Sequence, residues 1–376
     1  MKRLETAEKY YELMLKIVRE LCVIPAPSGL EDERAKYCYD FIKNAGYDNV
    51  YIDDAKNVVW KIEGNGGGKT ILFLGHTDTV FPDLKDIPFV EDETCIRSLG
   101  ATDDVAAVAQ ILALSKYLKE INYKPKNTIL FSANSCEEGL GDLKGTKKLF
   151  ADYGKIIDRM YSLDGYYNHV ANVSVGSKRF LVTARTEGGH SYGKFGNQNA
   201  ISVLADLINK IYSIDVPVIE GVKTTYNVGT IEGGTSVNTI AQEAKMLCEY
   251  RSSGAEGMRI MSQKFDEIFA YGKSICPDLI VEIVGDRPGM NGVDEKEMEE
   301  LTKKAIEVSK KYTGLDVVAS SSSTDCNIPH SMGITAICLG NCMGKGAHTR
   351  EEYLIKESLK PGFAIALEMI EYEGNR

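Results

Sequence analysis

The chain has 376 residues, and at about 150 residues per domain this length favours two domains, or three. Its hydrophobic fraction of 43% and charged fraction of 26% are ordinary for a globular protein. The 54 acidic residues outnumber the 44 basic ones and give a net charge of −10, which argues against nucleic acid and anionic membranes as main partners.

The N-terminal stretch carries charged residues among its apolar ones, so it lacks the uninterrupted apolar region of a signal peptide. A stripe at helical spacing indicates instead an amphipathic helix, and its members are Leu13, Met14, Ile17, Val18 and Leu21. No apolar run approaches the roughly 20 residues that span a bilayer. The nine cysteines include no CxxC pair, so we expect reduced, mostly buried thiols and a cytoplasmic location.

The first half of the chain alternates predicted strands with predicted helices. Ser28 and Glu31 have the spacing of a capping box, which predicts a helix start and a helix running through Phe41. The predicted strands are residues 50–53, 58–62, 71–74, 127–133 and 160–163, and further helices are predicted over the apolar stripe 105–114 and over 142–150. This α/β alternation predicts a mainly parallel sheet with helices on both faces.

From about Val173 the order of elements changes. Strands are predicted over residues 180–186, 223–231, 244–250 and 279–284, and helices over 197–212 and 257–272. This βαββαβ order predicts a two-layer α+β domain, residues 173–285, inserted into a domain made of residues 1–172 and 286–376. The α/β pattern then resumes, with a helix over 294–312, strands over 317–319 and 334–339, and a final helix over 351–372.

Histidines and carboxylates follow several of the predicted strands or open a predicted helix. They are His76, Asp103, Glu137, Glu138, Asp164 and His348. Because open α/β sheets gather ligands at the carboxyl ends of their strands, we expect these side chains to meet. Two histidines and several carboxylates suit a pair of zinc ions with a shared carboxylate and an open position for water.

Each of these signals also has a structural interpretation when it is taken alone. Asp103 and Asp104 could be favourable charge at a helix N-terminus, although that interpretation needs only one of them. The pair Glu137 and Glu138 could be a solvated surface. If the pair belongs to a metal site, one glutamate must stay off the metals to move the proton.

The chain resembles a known family, the di-zinc exopeptidases and deacylases. This family includes peptidase T, glutamate carboxypeptidase, aminoacylase, acetylornithine deacetylase and succinyl-diaminopimelate desuccinylase. The matching segments occur in the family's order and cover most of the chain: GHTDTV, GATDD, SCEEG, SLDG, GGHSYGKFGNQNA, GTIEGGTSVNTIAQEA, SSTDCN and GKGAHTREEY. Two departures leave the subfamily open. Val105-Ala106-Ala107 stands where the family often has Lys-Gly-Gly or Lys-Ala-Gly, and Cys136 replaces a more usual Asp or Glu.

The resemblance implies a set of metal ligands. His76 and Asp164 would bind one zinc ion. Glu138 and His348 would bind the other, and Asp103 would bridge the two. The same ligands would accept cobalt or manganese as well as zinc.

The resemblance also implies the catalytic residues of the first domain. Asp78 would orient His76, and Glu137 would be the general base that takes a proton from the bridging water and passes it to the leaving amine. The peptide bond after the bridging aspartate is commonly cis in this family, so we expect a cis bond between Asp103 and Asp104.

The inserted domain would be the family's lid and dimerisation domain. His190 of GGHSYG would reach the active site of the neighbouring subunit and stabilise the oxyanion. Asn238 and Arg251 match positions that contact substrate or shape the lid; the structural alternatives are a turn residue and a strand-edge salt bridge. Arg287 in GDRPG resembles an arginine that binds the carboxylate of the substrate bidentately.

We therefore expect a homodimeric hydrolase that cuts one amide bond in a small peptide or an N-acyl amino acid with a metal-bound hydroxide. Two alternatives are a binding protein on the same fold that has lost catalysis, and an aminopeptidase of another di-zinc family with a similar order of ligands. The insertion between Asp164 and His348 favours the first family over the latter. His169 and His330 match no ligand position, and we interpret them as structural.

Overall fold

The structure is a computed structural model that describes residues 2–66 and 68–376. The chain forms two compact units, one that runs to Ser174 and resumes at Gly292, and one that comprises Val175–Asn291. These limits lie near the predicted boundaries at 172 and 285. The predicted boundary at 285 places Arg287 in the first domain. In the structure it belongs to the second unit, because the last strand of that unit extends to Arg287, which pairs with Ser177.

The helices and strands follow in chain order. The helices are α1 (Lys2–Cys22), α2 (Asp32–Asn44), α3 (Ala106–Glu120), α4 (Lys144–Tyr153), α5 (Ala200–Tyr212), α6 (Ala255–Ile275), α7 (Glu295–Thr313), α8 (Asn327–Ser331) and α9 (Leu359–Gly374). The strands are β1 (Tyr51–Ile52), β2 (Val58–Ile62), β3 (Thr70–His76), β4 (Phe89–Glu91), β5 (Cys95–Ser98), β6 (Thr128–Asn134), β7 (Ile157–Leu163), β8 (His169–Ser174), β9 (Gly176–Arg185), β10 (Gly189–His190), β11 (Thr224–Gly233), β12 (Thr239–Ile240), β13 (Glu243–Ser252), β14 (Ile280–Arg287), β15 (Val318–Ser322), β16 (Thr335–Leu339), β17 (Gly344–Lys345) and β18 (Tyr353–Ile355).

The main sheet of the first unit has the strand order β1-β2-β6-β3-β7-β16-β8-β15. Its centre is parallel, because β3 pairs in parallel with β6 and β7, and β16 pairs in parallel with β7. The pairs β1–β2, β2–β6 and β16–β8 are antiparallel. The predicted mixed, mainly parallel sheet is confirmed.

The central strand β3 carries helices on both of its faces. Leu72 and Leu74 share a core with Leu149 of α4 and Ile328 of α8. Gly75 points the other way, toward α3, where a Cβ on it would lie 3.1 Å from the Cβ of Ala107. A strand covered on both faces has to be apolar at every position, which explains its continuous hydrophobic run.

The second unit has an antiparallel sheet of order β11-β13-β9-β14 and a short ribbon of β10 and β12. Its core lies on one face of the sheet, where Phe180 and Val182 of β9 pack with Leu204 of α5 and Phe265 of α6. Side chains that alternate along β9 put every second residue on this face. The unit is the predicted two-layer βαββαβ arrangement.

Two local predictions are wrong. The capping box does not form, because Glu31 accepts a hydrogen bond from the Gly29 amide while Ser28 donates to Asp78, and α2 begins at Asp32 without a side-chain cap. The last helix begins at Leu359 rather than near residue 351, because β18 pairs with β5 in a small sheet of order β17-β18-β5-β4.

Among residues 2–66 and 68–376, none of the helices combines the length and the apolarity that crossing a bilayer requires.

Candidate metal centre

The predicted ligands of the first unit lie at the carboxyl ends of neighbouring strands. His76 is the last residue of β3, Asp164 follows β7 directly, and Glu138 comes four residues after β6. These three strands are parallel neighbours, so their carboxyl ends share one edge of the sheet. The structure therefore brings together side chains that are far apart in the sequence.

Asp103 stands between two groups of potential metal ligands. In one group its carboxylate lies with His76 and Asp164, and in the other with Glu138 and His348, with the ligand atoms of each group within 4.8 Å of one another. Its Oδ1 is 3.0 Å from His76 Nε2 and its Oδ2 is 2.9 Å from His348 Nε2. Each oxygen thus faces a different histidine, which is the arrangement that a bridging carboxylate needs.

His76 is oriented by Asp78. The Nδ1 atom of His76 lies 3.2 Å from the main-chain carbonyl oxygen of Asp78 and 3.4 Å from its Oδ1. Because a carbonyl oxygen only accepts, Nδ1 carries a proton, and Nε2 is the atom that can present a lone pair to a metal.

Asp78 is itself held by three donors. It accepts hydrogen bonds from the main-chain amides of Glu137 and Glu138, at 2.9 and 3.0 Å, and from the Ser28 hydroxyl at 2.6 Å. Burial alone would raise the pKa of Asp78, but its bonds to His76 and Ser28 outweigh burial and hold the pKa below its ordinary value. A single buried carboxylate therefore links the His76 ring to the loop of the two glutamates.

Glu137 and Glu138 are both about 5% exposed, so the interpretation as a solvated acidic surface is wrong. The Oε1 atom of Glu138 is 2.9 Å from His348 Nε2. Glu137 enters one ligand group, with His76 and Glu138, and is absent from the groups that contain Asp103. The geometry thus places Glu138 next to His348, and it places Glu137 beside the ligand groups that contain Asp103.

The loop that carries Asp103 is held by Glu352, a residue that the sequence analysis missed. The buried Glu352 carboxylate accepts from the main-chain amides of Gly100 (2.8 Å), Thr102 (2.7 Å) and Asp103 (3.2 Å), and also from the Thr102 hydroxyl (2.7 Å). The signal that could have found it is its place four residues after His348, inside a matching segment.

Asp104 has a role other than charge at a helix start. It is fully buried, its Oδ2 accepts from the His76 main-chain amide at 3.0 Å, and its Oδ1 accepts from Asn341 at 3.4 Å. Burial raises the pKa of Asp104 well above its ordinary value. The peptide bond between Asp103 and Asp104 is cis, as the resemblance implies.

The electrostatics of the cluster suit a bound cation. Burial, together with the charge of Asp103, raises the pKa of Asp164 to about 7, and burial also raises the pKa of Glu138. Hydrogen bonds to Asp103 and Glu138 raise the pKa of His348 to about 11. Carboxylates crowded in this way compete for protons and cations, and two imidazoles with three carboxylates form a donor set that fits two zinc, cobalt or manganese ions.

The remaining predicted site residues lie on the second unit. His190 and Asn238 are exposed on or beside the ribbon of β10 and β12; the His190 ring accepts from the Tyr192 amide at 3.3 Å, and Asn238 accepts from Ser236 at 2.8 Å. Arg251 and Arg287 lie on β13 and β14. Of these four side chains, the structure brings His190 and Asn238 to one ribbon and the two arginines to one sheet.

The two other histidines lie outside the ligand groups. His330 is buried, with Nδ1 2.7 Å from Ser174 Oγ and Nε2 2.8 Å from the Ala336 carbonyl oxygen. His169 is an exposed residue at the start of β8. Both positions agree with the structural interpretation.

Comparison with known proteins shows the family to which this chain belongs. Residues 72–372 match Peptidase family M20/M25/M40. The uncharacterized protein YqjE of Bacillus subtilis is 30% identical over 326 residues, which cover 84% of each chain. The crystal structure of aminopeptidase PepT from Bacillus cereus has a TM-score of 0.73 at 24% identity and covers 96% of this chain and 98% of its own.

A further solved structure, the dinuclear metal-binding peptidase YXEP of Bacillus subtilis from family M20, has a TM-score of 0.64 at 15% identity and covers 97% of this chain and 99% of its own. At these identities the two structures show the fold. The family match removes the alternative of a different di-zinc aminopeptidase family. The chain therefore belongs to peptidase family M20/M25/M40 and is a peptidase or amidohydrolase.

Proposed function

We propose that the chain is a co-catalytic metal hydrolase that cleaves one amide bond in a small peptide or an N-acyl amino acid. The observation that carries the proposal is the Asp103 carboxylate, whose two oxygens face His76 Nε2 and His348 Nε2 at 3.0 and 2.9 Å. A carboxylate placed between two imidazoles in this way provides two cation sites that share one ligand.

Two ions, which we propose to be zinc with cobalt or manganese as substitutes, supply Lewis acidity and an activated water when they are bound. His76 and Asp164 would hold one ion. Glu138 and His348 would hold the other, with Asp103 between them. This assignment follows the two ligand groups that share Asp103.

Glu137 is the proposed general base. Its main-chain amide is anchored on Asp78, and its carboxylate lies within 4.8 Å of the ligand atoms of His76 and Glu138. From that place it can take a proton from the attacking water and deliver it to the leaving amine. Asp78 keeps the Nε2 atom of His76 directed at the centre throughout.

The second unit would be the lid. In this proposal His190 donates a hydrogen bond to the oxyanion in the active site of a neighbouring copy. Asn238 and Arg251 contact the substrate or shape the lid, and Arg287 binds the substrate's carboxylate. A homodimer through this unit is part of the proposal, and it is supported by β11, an edge strand of the sheet on which Ile231 is 51% exposed. A cytoplasmic location is supported by the nine cysteines, which all lie in the described ranges as buried free thiols.

The substitution Glu137→Gln tests the proposal. Because the amide cannot take a proton, we expect kcat to fall by about 10²–10⁴-fold, while the melting temperature and the bound metal, about two ions per chain, stay unchanged. The assay uses zinc- or cobalt-loaded enzyme against a panel of dipeptides, tripeptides and N-acyl amino acids. Near-normal turnover by the variant would make the base assignment wrong. If the wild type cleaves nothing on the whole panel, the alternative of a binding protein that has lost catalysis is favoured.

A further inference from the structure

The segment SSTDCN, which has no part in the proposed function, carries a buried carboxylate of the first unit. Asp325 lies between β15 and α8 and is fully buried. Hydrogen bonds close the turn on both sides of it. The Thr324 amide donates to Asn327 Oδ1 at 2.9 Å, and the Cys326 amide donates to Thr324 Oγ1 at 3.2 Å. The turn therefore fixes the place of the Asp325 carboxylate in the fold.

The Asp325 carboxylate accepts from two neutral side chains. Asn134 Nδ2 donates to its Oδ2 at 2.7 Å, and the Thr146 hydroxyl donates to its Oδ1. Asn134 Nδ2 also lies 3.3 Å from Thr146 Oγ1, to which it donates, so the proton of the Thr146 hydroxyl is directed at Asp325. Both carboxylate oxygens are acceptors, which is the pattern of the ionised form.

Asn134 connects Asp325 to one of the proposed metal ligands. It is the last residue of β6 and lies directly opposite His76 of β3. Its main-chain carbonyl accepts from the Thr77 amide at 2.8 Å and from the Thr77 hydroxyl at 2.9 Å. The residue that Asp325 binds through its side chain thus holds, through its main chain, the residue that follows His76.

The charge of Asp325 also acts on the ligand group of His76 and Asp164. Burial raises the pKa of Asp325, while the charge of His76 lowers it. Burial is also the main cause that raises the pKa of Asp164, and the charge of Asp325 adds to it. His76 and Asp164 belong to one group of potential ligands. Asp325 is therefore coupled to two members of that group, through charge as well as through Asn134.

The position formed by Glu138 and His348 has different surroundings. The His348 side chain is 56% exposed, whereas that of His76 is 1% exposed. Water and salt screen charges near an exposed group far more than they screen charges in the interior. A buried charge beside His76 can therefore act on one ion position without acting equally on the other.

We propose that Asp325 is a positioning residue for the ion that His76 and Asp164 would hold, and that it does not serve the ion position of Glu138 and His348. The inference rests on the ligand assignment of the proposed function. A carboxylate this deeply buried needs a counter-charge, because both of its donors are neutral. It would find one in a cation held by His76 and Asp164. Without Asp325 that ion position loses a favourable charge, and Asn134 loses the acceptor that orients it.

The test measures zinc affinity by competition with a chelating dye. In the otherwise wild-type chain, Asp325→Asn should weaken one of the two ions and leave the other unchanged. Two backgrounds then identify the position, because His348→Ala removes a ligand of one ion and His76→Ala a ligand of the other. We expect Asp325→Asn to weaken zinc binding about 10–100-fold in the His348→Ala background, the effect of removing the support of a ligand. In the His76→Ala background it should change nothing.

Glu373→Gln is the matched control for the loss of a buried carboxylate. Glu373 is 1% exposed and lies in the first unit, where it accepts from Arg159 Nη1 at 2.6 Å and its main-chain carbonyl accepts from Asn127, just before β6. It is therefore near the amino ends of the strands, and the proposed ligands are at their carboxyl ends. Glu373→Gln should leave the zinc affinity of both backgrounds unchanged.

An equal loss in both backgrounds, or the same loss in Glu373→Gln, would mean that Asp325 supports the fold in general, and the inference would be wrong. Unchanged affinity in both backgrounds would also overturn it, while the proposed function would stand. If the wild type binds no zinc, the proposed function fails and the inference fails with it. If Asp325→Asn does not fold, Asp325→Ser takes its place with the same expectations, because its hydroxyl can still accept from Asn134.

Discussion

Glu352 holds four donors of the loop that carries the bridging aspartate, and it touches none of the proposed reacting atoms. In Glu352→Gln an amide nitrogen would face main-chain N–H groups, so at least one of them would lose its acceptor. We expect the affinity for metal to fall about 10–100-fold, as it does when the support of a ligand is removed. Competition with a chelating dye measures this affinity.

The neighbouring Glu351 is the matched control, because it is exposed and has the same side chain. Glu351→Gln should bind metal as the wild type does. An unchanged metal affinity in Glu352→Gln would mean that the Asp103 loop keeps its shape without this carboxylate.

His330 should make stability depend on pH. Burial lowers its pKa to about 4, so the folded chain keeps it neutral while the unfolded chain takes up a proton as the pH falls below about 6.5. The stability that His330 contributes is therefore present at pH 7 and is lost progressively between pH 6.5 and pH 4. At pH 5 this loss amounts to about 2 kcal/mol.

Urea unfolding of wild type and His330→Gln at pH 7 and pH 5 measures this loss. The difference in unfolding free energy between the two proteins should be about 2 kcal/mol smaller at pH 5, because only the wild type carries the histidine. The exposed His169→Gln variant should show no such change. An equal difference at both pH values would mean that His330 is not held neutral by burial.

At the scale of residues, histidines and carboxylates placed after strands or at a helix start predicted which side chains would meet at one edge of the sheet, and the family resemblance supplied the proposed ligand set. The supporting residues were harder to find because their partners are main-chain groups. Glu352 accepts hydrogen bonds from amides on a distant loop. The Ser28 hydroxyl donates to Asp78 instead of capping the following helix. Nothing in a local pattern distinguishes such a carboxylate or hydroxyl from an ordinary surface or cap residue.

At the scale of elements, α4 packs closely on the loop of the two glutamates. A Cβ on Gly145 would lie 2.2 Å from the Ser135 carbonyl oxygen and 2.5 Å from Asn57 Oδ1. Asn57 ties the two together, since its Oδ1 accepts from the Ser135 amide at 3.0 Å and its Nδ2 donates to the Gly145 carbonyl at 2.9 Å. The helix and the loop therefore cannot separate to admit a methyl group without breaking this link.

We expect Gly145→Ala to lower the free energy of unfolding by about 1–3 kcal/mol, the usual cost of overpacking, and to lower kcat by displacing Glu137 and Glu138. Denaturant unfolding and turnover measure the two effects. Lys144→Ala, an exposed position one residue earlier in α4, should leave both close to wild type. Wild-type stability in Gly145→Ala would show that α4 can shift without cost.

The central strands and the long helices were predictable because their apolar patterns extend over several residues. The small sheet of order β17-β18-β5-β4 was not, because its strands are two to four residues long and pair distant parts of the chain. The local pattern therefore predicts Tyr353-Leu354-Ile355 as the start of the last helix. Pairing with β5 overrides local helical preference there.

At the scale of the whole molecule, the division into two units followed from the change in the order of elements near Val173. The alternation of strands and helices along the chain was sufficient for this, because a parallel sheet needs crossover helices and a two-layer antiparallel sheet does not. The exact limits depend on strand pairing. Arg287 joins the second unit only because β14 pairs with β9 through that residue.

All the proposed metal ligands lie in the first unit, so removing the metal should loosen that unit first. An ion present at 100 times its Kd adds about 2.7 kcal/mol to the free energy of unfolding. Removing the ion should therefore raise the rate of amide exchange through unfolding about a hundredfold. Hydrogen exchange with and without a chelator should show this acceleration in β3 (Thr70–His76) and β7 (Ile157–Leu163). The core strand β13 (Glu243–Ser252) of the second unit is the internal control, and its exchange rate should stay the same. Added zinc should restore the protection of β3. Equal acceleration in β13 would mean that the two units unfold together and that the chain behaves as one cooperative body.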